Sequence, residues 1–351
     1  MEYGNDDYLD LLDFLNSTEQ SPEGYESEPV FLCDKKRVVH FGGQIIPAFY
    51  FTNFILSMMG NGLVLYIIYK YEKLCTVTNI FLLNLVIADL LFACSLPFNA
   101  IYHNSEWIFG RFLCKVVGSL FSVGFHSSIL FLTLMTFDRY LAVVHAVSAA
   151  RNRRSLYAVA SSVSVWAVSL LSGIKDIVLH DVRDDPQYGL LCENFGYSQK
   201  TLNKWKLFSY YQQFLMFFVL PLALVLYCYT RITIRIMYTR MKQKCRAVKL
   251  IFVIVLTFFI CWTPYNIVIV LQAMEVSVTH RCPSDALDYA QFITRNLAFL
   301  YCCISPVFYT FLGKKFQNHF RKMLATYIPC LKVTLLVSQS SRTTSFKTPD
   351  T

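Results

Sequence analysis

An acid, a base and a phenol stand together at Asp138-Arg139-Tyr140, directly after a run from Val116 to Phe137 that holds no Lys, Arg, Asp or Glu. An acid beside a base can hold it in one position and release it, so the chemistry on offer is a switch. Further polar groups sit within or at the ends of such apolar runs: Asn61, Asp89, Ser128, Asp176 and Arg295. Ionisable groups are expensive near hydrocarbon and tend to be there for a function. Asp89 is expected to face the interior of a helix bundle and meet a polar partner. Arg295 lies toward the outer end of its apolar run, with Asp176 as a candidate counter-charge. Bond-making chemistry is poorly represented. There is no HExxH pair, GxSxG elbow, P-loop or Rossmann glycine set. The seven His are scattered without zinc spacing, and the last apolar run has no Lys that could hold a retinal Schiff base. The reading is not an enzyme, with no cofactor and no metal.

The elements that must position these residues are membrane helices. The 351-residue chain is 55% hydrophobic and 16% charged, with mean hydropathy +0.43; soluble domains carry about 25% charged residues. Seven runs are each long enough for roughly 30 Å of hydrocarbon. The fold class expected is therefore an all-α membrane protein, a seven-transmembrane helix bundle with a short amphipathic eighth helix. Its parts are an acidic extracellular segment 1–37, a bundle 38–312, an amphipathic helix 313–325 and a cytoplasmic tail 326–351. Approximate spans are 40–69, 77–103, 112–145, 155–179, 207–238, 246–274 and 286–312. Lys and Arg gather in the loops after spans one, three and five and after span seven, which makes those faces cytoplasmic and the N-terminus extracellular. No cleavable signal peptide is visible in residues 1–30, so the first helix is expected to act as its own signal. Pro97, Pro221, Pro264 and Pro306 fall inside spans, where each removes a backbone donor and can kink its helix.

Residues 1–34 hold ten acids and no Lys or Arg. Tyr3, Tyr8 and Tyr25 lie among these acids, and Asn16-Ser17-Thr18 is an N-glycosylation acceptor on the outer side. Such a head is suited to steering a basic partner. The basic surplus elsewhere fits membrane topology and anionic lipid; dispersed along one membrane face, it argues against nucleic acid. Four cysteines map to the oxidising outer side: Cys33, Cys114, Cys192 and Cys282. They permit three pairings, among which sequence alone does not choose. Tying the second outer loop to span three favours Cys114–Cys192, and tying the head to span seven favours Cys33–Cys282. Cys330, beyond a basic segment, is a candidate palmitoylation site.

Taken in order, Gly60-Asn61, Leu85-Val86-Ile87-Ala88-Asp89, Asp138-Arg139-Tyr140, Trp166, Pro221 with Tyr229, Cys261-Trp262-Thr263-Pro264 and Pro306-Val307-Phe308-Tyr309 resemble the rhodopsin-like (class A) G-protein-coupled receptors. The likeness covers roughly residues 30–325. The stretch Asp138 to Ala146, Ser95-Leu96-Pro97, Trp107-Ile108-Phe109-Gly110 and the four outer cysteines are similar to chemokine receptors. Lys249-Leu250-Ile251-Phe252, Trp262 to Asn266 and Arg295 to Phe299 look most like the XC-type (lymphotactin) receptor. Many chemokine receptors carry Glu where Arg295 stands. Four departures are Ser305, Tyr301, Asn99 and Gly124, the last at a position that often carries Asn. They weaken the family's sodium site around Asp89 and Ser128.

The resemblance implies a plasma-membrane receptor that binds a small basic chemokine outside and activates a heterotrimeric G protein inside, with calcium signalling and chemotaxis as the outcome. It implies ligand contacts at Tyr3, Tyr8, Tyr25, Tyr102, Phe121, Asp176, Tyr265, Gln272 and Arg295. It assigns activation and coupling to Asp138, Arg139, Tyr140, Tyr229, Trp262, Pro264, Pro306 and Tyr309, with Asn61, Asp89 and Ser128 as the polar core. Further partners implied are an inhibitory-class G protein, arrestin, receptor kinases acting on Ser338 to Ser345, and membrane lipid. Two rivals are an atypical scavenging receptor and a transporter or channel. The intact Asp138-Arg139-Tyr140-Leu141-Ala142 argues against the first, and the lack of a repeated half-pattern against the second.

Overall fold

The computed structural model describes residues 36–72, 76–145, 155–186, 189–239, 242–279, 284–312, 317–320 and 323. The apolar runs become helices α1 (Lys36–Tyr71), α2 (Val77–Asn104), α3 (Gly110–Val144) and α4 (Ser155–Leu179). A hairpin of β1 (His180–Asp185) and β2 (Gly189–Asn194) follows, then α5 (Gln199–Phe214), a π-helical turn Leu215–Val219, α6 (Leu220–Thr239), α7 (Lys242–Thr279) and α8 (Asp285–Leu312). Helix α5, the π turn and α6 run on as one rod, so the described residues form seven rods. Six of them are long and apolar enough to cross a membrane. The seventh, α8, carries Asp285 and Asp288 in its first turn. Its 28 residues reach about 42 Å at 1.5 Å per residue, more than the roughly 30 Å of hydrocarbon.

Local chemistry sets where the rods begin and bend. Thr76 caps α2, its hydroxyl accepting from the Asn79 N–H. Ser198 caps α5 in the same way through the Thr201 N–H. Pro47, Pro97 and Pro264 lie inside α1, α2 and α7. Pro221 has no N–H for the carbonyl of Phe217 and its ring crowds that carbonyl. The π turn just ahead of it absorbs the mismatch.

Helix α3 sits centrally, packing on α2, α4, α6 and α7, while α8 closes the ring between α7 and α1. At Gly124 the α2–α3 seam is very tight: a Cβ there would stand 2.6 Å from the Phe92 nitrogen and 3.0 Å from the Ala88 carbonyl oxygen. No side chain fits, which accounts physically for the missing Asn. Large apolar side chains such as Met59, Leu156 and Leu171 are more than half exposed on the outside of the bundle. That surface is suited to lipid tails, where helices leave no backbone group unpaired.

Candidate ligand pocket and cytoplasmic switch

The outer mouth is roofed by the hairpin, and several ties hold it down. Cys192 of β2 is disulfide-bonded to Cys114 of α3, with Cα atoms 5.7 Å apart. The Trp107 N–H donates to the Leu190 carbonyl at 2.7 Å, and the Leu190 N–H donates to Glu106 Oε2 at 2.9 Å. Gly189, with φ +71, leaves room for that Glu106 carboxylate, which a Cβ would strike. The Cys192 N–H donates to the Tyr102 hydroxyl at 3.2 Å. Arg111 Nη2 donates to Asp181 Oδ2 at 2.6 Å. Partial burial pushes the Asp181 carboxyl up, but Arg111 and the Val182 N–H outweigh it and hold the group below the usual carboxylate range. Burial lowers the His180 imidazole.

Beneath the roof lies a cavity of about 220 Å³ walled by Tyr50, Asn99, Phe121, Asp176, His180 and Arg295, among others. Its walls come from α1, α2, α3, α4, β1 and α8. Of the residues expected at a ligand site, Phe121, Asp176 and Arg295 line it. Tyr102 instead points to the hairpin. Gln272 is buried and joins α7 to α8, its Nε2 donating to Asp288 Oδ1 at 3.3 Å and Gln291 Oε1 at 3.2 Å. Tyr265 stands edge-on to Trp262 at 5.9 Å. A larger hollow of about 480 Å³ opens between α4 and α5. Its one charged side chain is Lys175, whose Nζ donates to Ser209 Oγ at 2.7 Å. The smaller cavity is the stronger candidate, because it brings an acid and a base together from different helices.

Below the cavity, Phe121 packs on Phe299 at 5.4 Å, and Trp262 stacks on Phe125 at 4.0 Å. Ser128 Oγ donates to the buried Asp89 Oδ1 at 2.7 Å, and Asn61 Nδ2 donates to Ser57 Oγ at 3.1 Å. At the inner end Asp138 is fully buried and accepts a long 3.5 Å hydrogen bond from Thr78 Oγ1. The Tyr140 hydroxyl lies 3.0 Å from His145 Nε2. Tyr229 is buried in the same cluster, edge-on to Phe252 at 5.0 Å. Pro306 and Tyr309 lie on α8, but their side chains are outside the described residues. Tyr3, Tyr8, Asn16, Tyr25, Cys33, Cys282 and Cys330 also lie outside them, as does most of 313–325, of which 317–320 are helical.

The model of the 7 transmembrane receptor (rhodopsin family) matches residues 60–309. C-C chemokine receptor type 3 of Cavia porcellus is 35% identical, covering 93% of this chain and 93% of its own. C-C chemokine receptor type 4 of Homo sapiens is 36% identical over 92% and 90%, respectively. Chemokine XC receptor 1 of Homo sapiens is 41% identical over 87% of each chain. The chain belongs to the chemokine receptors of the rhodopsin family. It is thus a multi-pass plasma-membrane protein, and its relatives are receptors rather than enzymes.

The receptor also holds polar clusters that sequence reasoning passed over. His126, buried on α3, has Nδ1 2.6 Å from Ser172 Oγ on α4 and Nε2 3.2 Å from Gln213 Oε1 on α5, and its ring stacks on Phe217 at 3.7 Å. The only signal was a lone His within an uncharged run. Trp166 Nε1 donates to Asn84 Oδ1 at 2.8 Å, tying α4 to α2. On the inner side His319 Nε2 lies 3.2 Å from Glu72 Oε1 and its ring stacks on Tyr71. This joins the segment after α8 to the end of α1. No sequence spacing announces a contact across so many residues.

Proposed function

We propose that the receptor is activated by an XC-type chemokine and passes the signal to an inhibitory-class heterotrimeric G protein, driving calcium release and chemotaxis. The observation that carries the subtype is Arg295 on the wall of the outer cavity, where many chemokine receptors place a glutamate. The 41% identity to an XC receptor adds support. In this reading the body of a basic chemokine meets the acidic head, with Tyr3, Tyr8 and Tyr25 as sulfation sites, while its flexible N-terminus reaches the cavity. Agonist shifts the equilibrium only by binding the active arrangement more tightly. Trp262, within the turn interrupted by Pro264, is the lever, and Asp138 restrains Arg139 until α7 moves outward. Arrestin and receptor kinases act on the phosphorylated tail.

The test is a screen of purified chemokines, XC-type first, for calcium and cAMP responses in transfected cells, with Arg295→Glu alongside. The expected result is a response to the XC-type ligand that Arg295→Glu weakens. Equal responses of the two receptors would remove Arg295 as the subtype determinant, and silence to every chemokine would refute the function.

A further inference from the structure

The outer cavity presents opposite charges from opposite sides of the bundle, Asp176 from α4 and Arg295 from α8. Asp176 Oδ2 and Arg295 Nε are both buried and without a hydrogen-bond partner among the described residues. A buried polar atom left without a hydrogen bond is costly, so a ligand that satisfies both atoms recovers that cost. The cations near Asp176 make their hydrogen bonds to other groups. Lys175 Nζ donates to Ser209 Oγ at 2.7 Å, and Lys115 Nζ donates to the Ile177 carbonyl at 3.0 Å. His180 meets the main-chain oxygen of Asp176 rather than its carboxylate. On the other side the Arg295 guanidinium lies 5.4 Å from the Phe292 ring and hydrogen-bonds the Tyr50 side chain, with His103 on the same cavity wall. Among the described residues no carboxylate forms an ion pair with it.

Size narrows the ligand further. A volume of about 220 Å³ holds on the order of seven waters at about 30 Å³ each. That excludes a folded domain and admits the tip of an extended chain, which advances about 3.5 Å per residue.

We propose that the cavity reads the first residues of the activating protein as a zwitterion, with a free α-ammonium on Asp176 and a carboxylate one or two residues later on Arg295. The proposal rests on the reading that the ligand's N-terminus enters this cavity, and it adds the chemistry that the end must carry. It also gives the pocket a means of rejection: a ligand whose second or third residue is basic would be repelled by Arg295.

The experiment uses the full-length receptor in cells and a synthetic XC-type chemokine. The segment ahead of its first cysteine is made in four forms, with free or acetylated α-amine and with glutamate or glutamine as its only ionisable side chain. On the wild-type receptor each change is expected to raise the calcium EC50 about tenfold or more. In Asp176→Asn the penalty for acetylation should vanish while the penalty for glutamine remains. In Arg295→Gln the reverse should hold. Antibody staining of an N-terminal epitope tag on intact cells measures surface expression of each variant. Equal potency of the four forms on wild type overturns the proposal without any mutant, as do penalties that stay unchanged in both variants. If no form activates the wild-type receptor although all reach its surface, the function proposed above fails instead.

Discussion

The α2–α3 seam at Gly124 offers a sharp test of how the structure positions its polar core. An added methyl would sit 2.6 Å from the Phe92 nitrogen, whereas ordinary contact begins at 3.4 Å. The helices would have to separate locally by about 0.8 Å. The atoms met are backbone, from Phe92 and Ala88, so no side chain can rotate out of the way. Overpacking of this kind costs about 1–3 kcal/mol, against a gain of about 1 kcal/mol for replacing glycine by alanine within a helix. The balance is a loss, and it falls on one particular contact. Ala88 precedes Asp89, and Ser128 lies one turn beyond Gly124, so opening the seam stretches the 2.7 Å bond between Ser128 and Asp89. The assay is the half-inactivation temperature of detergent-solubilised receptor, with Gly62→Ala as control because nothing lies within 4 Å of a Cβ there. Gly124→Ala is expected to fall by several degrees and Gly124→Asn further, while Gly62→Ala stays level or rises. A Gly124→Ala receptor as stable as the control would refute the close approach, and with it the explanation of why this chain lacks the family's Asn.

Arg139→Ala is expected to abolish G-protein activation while chemokine binding at the cell surface survives; normal nucleotide exchange in that variant would contradict the switch. Cys114→Ser opens a covalent link between residues 78 apart, worth up to about 4.5 kcal/mol by chain entropy. Surface binding of chemokine should be lost while the helical circular dichroism persists. The hairpin is also expected to be acid-sensitive. Asp181 is held below its unfolded value by Arg111, so its contribution is present above the ordinary aspartate pKa of about 3.9 and is lost as pH falls through the lower folded value. Wild type should lose thermal stability on acidification from pH 5 toward 3 by more than Arg111→Gln does; parallel curves would show that the pair is immaterial.

Most of the bundle was legible because the signal was coarse. A run such as Val116–Phe137, free of charge over its whole length, has few alternatives to a membrane helix. Its ends were less legible. Helix α5 begins at Gln199, inside the polar Gln-Lys-Thr-Leu-Asn-Lys stretch, because a serine cap starts it rather than hydrophobicity. The hairpin was invisible for a different reason: His-Asp-Val-Arg-Asp-Asp has no apolar alternation, and the disulfide, Trp107 and Glu106 hold it from outside. Site residues divided in the same way. Asp176 and Arg295 were conspicuous as charges at the ends of apolar runs, and the fold brings them to one cavity. Tyr102 was placed beside them, but its hydroxyl reaches up to Cys192; helical position names a level in the bundle and leaves the direction of a side chain open.

That direction matters most for the path between the two ends. Phe121 lines the cavity and meets Phe299 at 5.4 Å; Phe299 lies 6.5 Å from Trp262, which reaches Phe258 at 5.9 Å. Phe299 also packs edge-on against Phe92 of α2 at 4.9 Å, and Phe258 against Tyr301 of α8 at 5.1 Å. The column therefore spans α2, α3, α7 and α8, and a close-packed interior moves between discrete packings more readily than it deforms smoothly. Proximity alone does not make a path, since coupling needs an element with two states that both sites bias. Helix α7 has the means: Pro264 gives no hydrogen to the carbonyl of Ile260, weakening the turn that carries Trp262. The Trp262 indole nitrogen is buried with no partner among the described residues, so this ring has no polar tie to forfeit when it turns. A ligand pressing on Phe121 and Arg295 would thus act next to a helix interrupted at Pro264, with α8, which carries Arg295 and Phe299, packed against it.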